Sequence, residues 1–217
     1  MSNFDTLKAK QRGLRSGFPP QLGLRVHRAI SWLGRAEAET NDPDVRFILL
    51  WIGFNAAYAA EIPRDVGPST REEFKAFFDA MTSLDQESRV YKAVWERFPN
   101  EIRVLLNNQY VYAPFWHHAN GVPGYDNWEE MLLQSRQSIA DALARKDTVR
   151  ILSGVFDRLY VLRNQLVHGG ATWNSGINRS QVRDGAAVLG WLFPVFIDVM
   201  MSAPDKDWGR PFYPVIE

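Results

Sequence analysis

Asp42-Pro43-Asp44-Val45-Arg46-Phe47-Ile48-Leu49-Leu50-Trp51-Ile52-Gly53-Phe54-Asn55-Ala56-Ala57-Tyr58 is the stretch whose reading decides the fold. Asn41-Asp42-Pro43 stops one helix and opens the next. The aspartate serves as N-cap, and proline suits the first helical position, where its missing N–H is not needed. Phe47, Leu50, Trp51, Phe54 and Tyr58 then share one face, and Ile48, Ile52 and Ala59 crowd the others, along a helix expected to reach about Ile62. A helix apolar nearly all round belongs at the centre of a fold, with other helices packed around it. The most apolar run of the chain, Phe47 to Ala60, is about 14 residues long and holds Asn55, short of the roughly 20 residues a bilayer span needs. The segment therefore reads as a core helix, with no membrane partner. Met1-Ser-Asn-Phe-Asp-Thr-Leu-Lys carries no charged-then-apolar leader pattern, so a soluble, cytoplasmic protein is the expectation.

Upstream, residues 1–20 read as a polar arm ending at Pro19-Pro20, a pair that disfavours helix before it. From Gln21 to about Glu39, Leu24, Ile30 and Leu33, with Ala29, Trp32 and Ala36, form a helical stripe. Downstream, Pro63 to Pro68 is a loop, and Ser69 with Glu72 makes a capping box for a helix to about Thr82. Helices follow over Glu87 to Phe98 and Asn100 to Leu106, then an irregular aromatic insertion over 107–127. Asp126 is expected to cap a helix to about Lys146. Asp147 opens another, stopped by Gly169-Gly170, and a last apolar helix covers about Ser180 to Met201. No stretch alternates with a period of two, and no repeat stands out. The expected fold is all-α, a bundle of about seven or eight helices. Residues 21–203 form one domain between the basic arm (1–20) and a proline-punctuated tail (204–217).

Composition narrows the chemistry. A chain of 217 residues can bury about 70 % of the surface it exposes when unfolded, so its core needs no disulfide or metal staple. The absence of cysteine removes disulfides, cysteine-ligated zinc, iron–sulfur clusters and thiol nucleophiles together. The net charge of zero argues against a protein that holds nucleic acid by bulk attraction. The charge is nevertheless uneven. Through Arg35, the seven cations Lys8, Lys10, Arg12, Arg15, Arg25, Arg28 and Arg35 oppose only Asp5, a local excess of +6 that the remainder balances. Such an arm is either a solvated basic face or a contact for phosphates.

The chemically informative segment is Leu159-Tyr160-Val161-Leu162-Arg163-Asn164-Gln165-Leu166-Val167-His168-Gly169-Gly170. Leu152, Phe156, Leu159 and Leu166 make an apolar stripe, and Arg163 places a charge within it. Asn164 and His168 lie one turn apart on a flank shared with Tyr160. A charge inside an apolar stripe must find a partner or face a cleft, because an unpaired buried charge is very costly. A fixed cation, an amide and the side chain that titrates nearest neutrality thus gather at one helix end. The set suits phosphodiester cleavage in RNA. His168 moves a proton, Arg163 holds the phosphate and offsets developing charge, and Asn164 orients them. It needs neither metal nor cofactor. The alternative is a structural set, with Arg163 paired to a carboxylate and His168 capping the helix.

This segment resembles the HEPN superfamily (higher eukaryotes and prokaryotes nucleotide-binding), whose ribonucleases carry an arginine, often a polar residue after it, then four to six residues to a histidine. Arg163, Asn164 and His168 match that motif. Trp51-Ile-Gly-Phe54-Asn55-Ala-Ala-Tyr58 is similar to the tryptophan–x–x–phenylalanine–asparagine–x–x–tyrosine helix of some bacterial HEPN proteins. The resemblance covers mainly residues 42–62 and 147–201. It implies a helical bundle that forms a homodimer, with one composite cleft built by two motifs. The implied activity is metal-independent RNA cleavage to a 2′,3′-cyclic phosphate and a 5′-hydroxyl, in antiphage defence, a toxin–antitoxin pair or RNA processing. The partners implied are RNA and an antitoxin or defence protein. A non-catalytic nucleotide- or RNA-binding or adaptor module is the alternative. Toxins of this superfamily paired with a nucleotidyltransferase antitoxin often carry a tyrosine two residues after the histidine. Gly170 stands there instead, which argues against regulation by nucleotide transfer onto that tyrosine.

Four further features have a bland reading beside a functional one. Asn55 reads chiefly as a buried amide bonded to backbone or to Tyr58. His117-His118 reads as a loop pair, since adjacent side chains point apart and no carboxylate stands at ligand spacing. The aromatic run from Tyr110 to Trp116 reads as packing of an insertion, with base stacking as the alternative. Arg158, Arg163, Arg179 and Arg183 line either a phosphate path or a solvated face.

Overall fold

α3 (Pro43–Tyr58) lies where its composition places it, at the centre. The computed structural model describes residues 2–59, 70–211 and 213. Asp42 caps the helix as its sequence predicts, its carboxylate accepting from the N–H groups of Asp44 and Val45 at 2.9 and 3.1 Å. Phe47, Leu50, Trp51, Phe54 and Ala57 are buried. Ala59 is already extended, so α3 stops before the expected Ile62.

Among the described residues there are ten α-helices and no strand. Besides α3 they are α1 (Asn3–Leu14), α2 (Pro20–Ala38), α4 (Thr70–Leu84), α5 (Arg89–Lys92), α6 (Pro99–Asn107), α7 (Ala113–Ala119), α8 (Trp128–Arg145), α9 (Thr148–Val167) and α10 (Arg179–Ser202). α2 and α10 flank α3, α9 closes its other side, and α4 packs on α9. Phe54, Phe78, Phe156 and Phe196, one each from α3, α4, α9 and α10, meet ring to ring in the interior. α3 and α10 approach closely because Gly53 has no side chain. A Cβ there would stand 2.6 Å from the Phe193 ring and 3.1 Å from Cβ of Trp32.

The expected all-α architecture holds, and several of its parts change. Residues 2–20 pack on the bundle and form no free arm. Ser2 caps α1, and Phe4, Leu7 and Gln11, at helical spacing, face the bundle. Phe4 fills the space left open by Gly34 of α2. Pro19 and Pro20 open α2 instead of ending an arm, with proline at its first position. The helices exceed seven or eight because α1 and α7 are added; the Glu87–Phe98 helix shrinks to the single turn of α5, continued by a π-turn over Ala93–Arg97. Asp126 does not cap α8. Asn127 occupies that position, without a side-chain hydrogen bond. The expected loop at 63–68, the Ser69 side of the Ser69–Glu72 capping box and residues 212 and 214–217 of the tail lie outside the described residues.

α10 corrects a further expectation. It has 24 residues and a window of mean hydropathy 1.7, so it is long and apolar enough to cross a membrane. That window is 72 % buried inside the bundle, where Leu189, Leu192, Phe193 and Phe196 have no exposed surface. Its apolar character follows from being surrounded by other helices.

Candidate functional site

α9 begins where Asp147 accepts from the N–H of Arg150 at 3.0 Å and ends at His168. Gly169, with φ +71°, takes the left-handed turn that stops the helix. Leu152, Phe156, Leu159 and Leu162 are fully buried. Arg163 stands where the helix leaves the core and is half-buried. Its Nη1 donates to Oδ1 of Asn164 at 2.8 Å, and no carboxylate pairs with it among the described residues. The charge in the stripe is therefore met by a cleft.

That cleft has a volume of about 470 Å³ and lies between the ends of α3 and α9. Trp51, Asn55 and Tyr58 enter it from α3, Tyr160 and Arg163 from α9, Arg28 from α2 and Tyr213 from the tail. The two segments carrying the resemblance thus meet in space. The Trp51 ring lies 6.2 Å from that of Tyr160 and 6.3 Å from that of Phe156. Among the described lining residues there are two guanidinium groups and no carboxylate. Burial pushes the Tyr58 hydroxyl well above the usual tyrosine range, Glu73 and Tyr160 push it further, and Arg163 opposes them. Glu73, on α4, is itself pushed up by burial.

His168 is exposed and does not line the cleft. Its backbone N–H donates to the carbonyl of Asn164 at 3.0 Å, which places it one turn beyond the arginine–asparagine pair. The structure joins Arg163 to Asn164 and leaves His168 facing solvent. Beside that helix end is an apolar groove of about 250 Å³ lined by Ile48, Leu49, Leu166 and Trp173. Trp173, Val167 and Ile177 are exposed nearby in sequence.

Other residues fall differently from their sequence reading. Asn55 is half-buried on the cleft wall, and its amide makes no hydrogen bond among the described residues, neither to backbone nor to Tyr58. The basic N-terminal region is partly engaged within the fold, while Arg12 and Arg15 stay exposed. Lys10 pairs with Asp198 at 2.7 Å and Arg35 with Glu39 at 3.0 Å. Arg28 donates to the carbonyl of Tyr213 at 2.6 Å. Arg25 has no exposed surface. It donates to the carbonyls of Ala57, Ala59, Gly209 and Arg210 at 2.8–3.2 Å. Burial lowers its pKa to about 10, against the attraction of Asp207.

The arginine run does not line one path. Arg158 and Arg163 are five positions apart, about 140° around the helix. Arg158 is buried over the Tyr112 ring at 4.2 Å and donates to Oγ of Ser135 at 3.2 Å. Arg179 pairs with Asp44 at 2.8 Å, while Arg183 is exposed. A larger cavity of about 760 Å³ lies between α4, α8 and α9. Its charges are engaged with one another and with its walls, Lys75 with Asp79 at 2.9 Å and Arg150 with Ser138.

The aromatic insertion divides in two. Tyr112 is buried, while Tyr110 from the turn before α7, Phe115 and Trp116 of α7 and Trp128 of α8 pack edge to face as an outer cluster. His117 lies 4.6 Å from the Tyr125 ring, and Nδ1 of His118 is 3.7 Å from Asp126.

Sequence reasoning gave Asn55 chiefly a structural role, met Arg28 only as one of the N-terminal cations, and did not single out Tyr213. The tryptophan–phenylalanine–asparagine–tyrosine pattern was the only signal pointing to Asn55, and nothing local pointed to Arg28. No family model, no curated protein and no solved structure matches the chain.

Proposed function

We propose that the protein is a metal-independent endoribonuclease of HEPN type. The observation that carries this reading is Arg163, half-buried at a cleft without a carboxylate partner among the described residues, with an exposed histidine one turn beyond it. In the proposed reaction the substrate's 2′-oxygen attacks the adjacent phosphorus as its proton passes to a histidine. The bond from phosphorus to the 5′-oxygen breaks, and that oxygen takes up a proton. The products are a 2′,3′-cyclic phosphate and a 5′-hydroxyl. Arg163 holds the non-bridging oxygens, where charge builds in the transition state. Asn164 steadies Arg163 through the 2.8 Å bond. His168 supplies the proton transfer.

One acid and one base are needed, and each chain carries one His168. A homodimer that brings two α9 ends together would supply both, and the apolar groove beside His168 supports such a contact. The cellular setting proposed is cytoplasmic defence, a toxin–antitoxin pair or RNA processing. A second reading, a non-catalytic nucleotide- or RNA-binding or adaptor module, is favoured by one observation: the cleft is assembled without His168.

The test is cleavage of mixed RNA in the presence of a chelator by the wild type and by His168→Ala, with helicity and melting temperature checked on both. Loss of cleavage on His168→Ala, by about a hundredfold or more, is expected for a proton-transfer residue. Undiminished cleavage by the folded variant would refute the assignment. RNA binding without cleavage by the wild type would favour the second reading.

A further inference from the structure

We infer that the cavity between α4, α8 and α9 binds a free α-amino acid with an apolar side chain, its carboxylate held by the hydroxyls of Ser135 and Ser138 and its ammonium by Asp147. The cavity, about 760 Å³, falls in the roughly 300–1,000 Å³ range of small-molecule sites. It shares no lining residue with the α3–α9 cleft, so the site is separate from the proposed nuclease centre. Ser135 and Ser138 stand three positions apart on α8, on one face of the helix, and both line the cavity. Each is engaged by an arginine of α9. Nη2 of buried Arg158 donates to Oγ of Ser135 at 3.2 Å, and Nε and Nη2 of Arg150 both donate to Oγ of Ser138. A serine hydroxyl has two lone pairs and one O–H. On Ser138 the guanidinium takes both lone pairs, so only the O–H is left to offer. Ser153, in the same cavity, donates its O–H to the carbonyl of Val149 at 2.8 Å. The O–H groups of Ser135 and Ser138 have no such acceptor among the described residues.

Two O–H donors polarised by guanidinium groups suit an anionic acceptor with two oxygens, which a carboxylate supplies. The other charges decide what else the ligand carries. Lys75, Arg150 and Arg158 are matched by Asp79, Asp147 and Asp157, so the lining is neutral overall and does not select a polyanion. Asp147 adds an acceptor. Its Oδ1 caps α9 by accepting the N–H of Arg150 at 3.0 Å, and its Oδ2 makes no contact among the described residues. Arg150 links the two sets, its backbone bonded to Asp147 and its side chain to Ser138, which brings acceptor and donor within reach of one small molecule. A ligand with a carboxylate and an ammonium answers both. Met131, Ile139 and Val149 give the same cavity an apolar lining for the side chain.

The experiment is calorimetric titration of the full chain with L-leucine, L-phenylalanine and L-tryptophan. The tightest binder is then compared with its deaminated acid, which lacks the ammonium, and its decarboxylated amine, which lacks the carboxylate. The titrations are repeated for Ser135→Ala, Ser138→Ala, Asp147→Asn and Arg163→Gln, with melting temperature measured on each. At least one of the amino acids should bind once per chain with Kd below about 1 mM. Ser135→Ala and Ser138→Ala should each weaken it about tenfold. Ser135 also serves buried Arg158, so if its variant melts early, the half-buried Ser138 carries the test. Asp147→Asn keeps a side chain that can cap α9 and removes the charge. It should weaken the amino acid about tenfold and leave the deaminated acid unchanged. Arg163→Gln should bind as the wild type does. Absence of binding of all three amino acids by the folded wild type overturns the inference. So does binding that survives Ser138→Ala undiminished, or an amine or acid analogue that binds as tightly as the amino acid. Wild type that binds an amino acid and cleaves no RNA upholds this site and sinks the nuclease. Wild type that cleaves RNA and binds no amino acid does the reverse.

Discussion

Lys10 of α1 and Asp198 of α10, 188 residues apart in the chain, meet at 2.7 Å. Arg89 of α5 takes the other carboxylate oxygen at 2.9 Å, so one side chain ties three helices. Burial pushes the Asp198 carboxyl up, and the hydrogen bonds and charges of Lys10 and Arg89 more than reverse this, leaving it below its ordinary value of 3.8. A group whose folded value is depressed adds stability above its unfolded value and loses it as pH falls through the folded one. Melting temperature should therefore drop on acidification below about pH 4, and Asp198→Asn should flatten part of that drop. Parallel pH–melting curves for both proteins provide the check. Superimposable slopes would refute it.

α1 belongs to the core, and Leu7 is its most buried apolar side chain. Leu7→Ala should cost about 2 kcal/mol, the low end for a buried leucine because the site lies at the edge of the bundle and can partly collapse. Urea denaturation measures this. A change under about 0.5 kcal/mol, the size expected on a solvated arm, would return residues 1–20 to that description.

Arg25→Met should destabilise by at least about 3 kcal/mol, since it strips four carbonyls of their donor in a sealed site. Arg28→Met, three positions on and half-buried, should cost under about 1 kcal/mol. Equal effects in denaturant melts would contradict the distinction drawn between them.

Gly53→Ala should cost about 1–3 kcal/mol, although alanine is the better helix former, because its methyl would stand 2.6 Å from the Phe193 ring. Phe193→Leu should recover part of the loss. A stabilised Gly53→Ala variant would show that α3 and α10 have room to separate.

α3 and α9 were legible because their signals are local. Asp42-Pro43 and Asp147 cap the starts, and Gly169 stops α9. α1 was obscured because Lys8, Lys10 and Arg12 surround the Phe4, Leu7 and Gln11 stripe, and a charged segment looks solvated until its partner appears. Asp198 is that partner, and no local pattern announces it. Arg25 and Arg28 look alike in sequence. One is sealed and the other lines the cleft because of the carbonyls that α3 and the tail bring to them. At the site, Arg163 stood out as a charge in an apolar stripe. Asn55 gave a weaker signal, because its surroundings come from α9, about a hundred residues away.

α10 touches α1, α2, α3, α4, α5, α6 and α9. A ribosome makes this helix after all of them. Until it emerges, Gly53 and the faces of α2 and α3 that it covers stay open to water. The nascent chain through α9 therefore holds an unfinished core, and closure waits for the last of the ten described helices. A translation pause before Arg179 would leave that apolar seam within reach of chaperones.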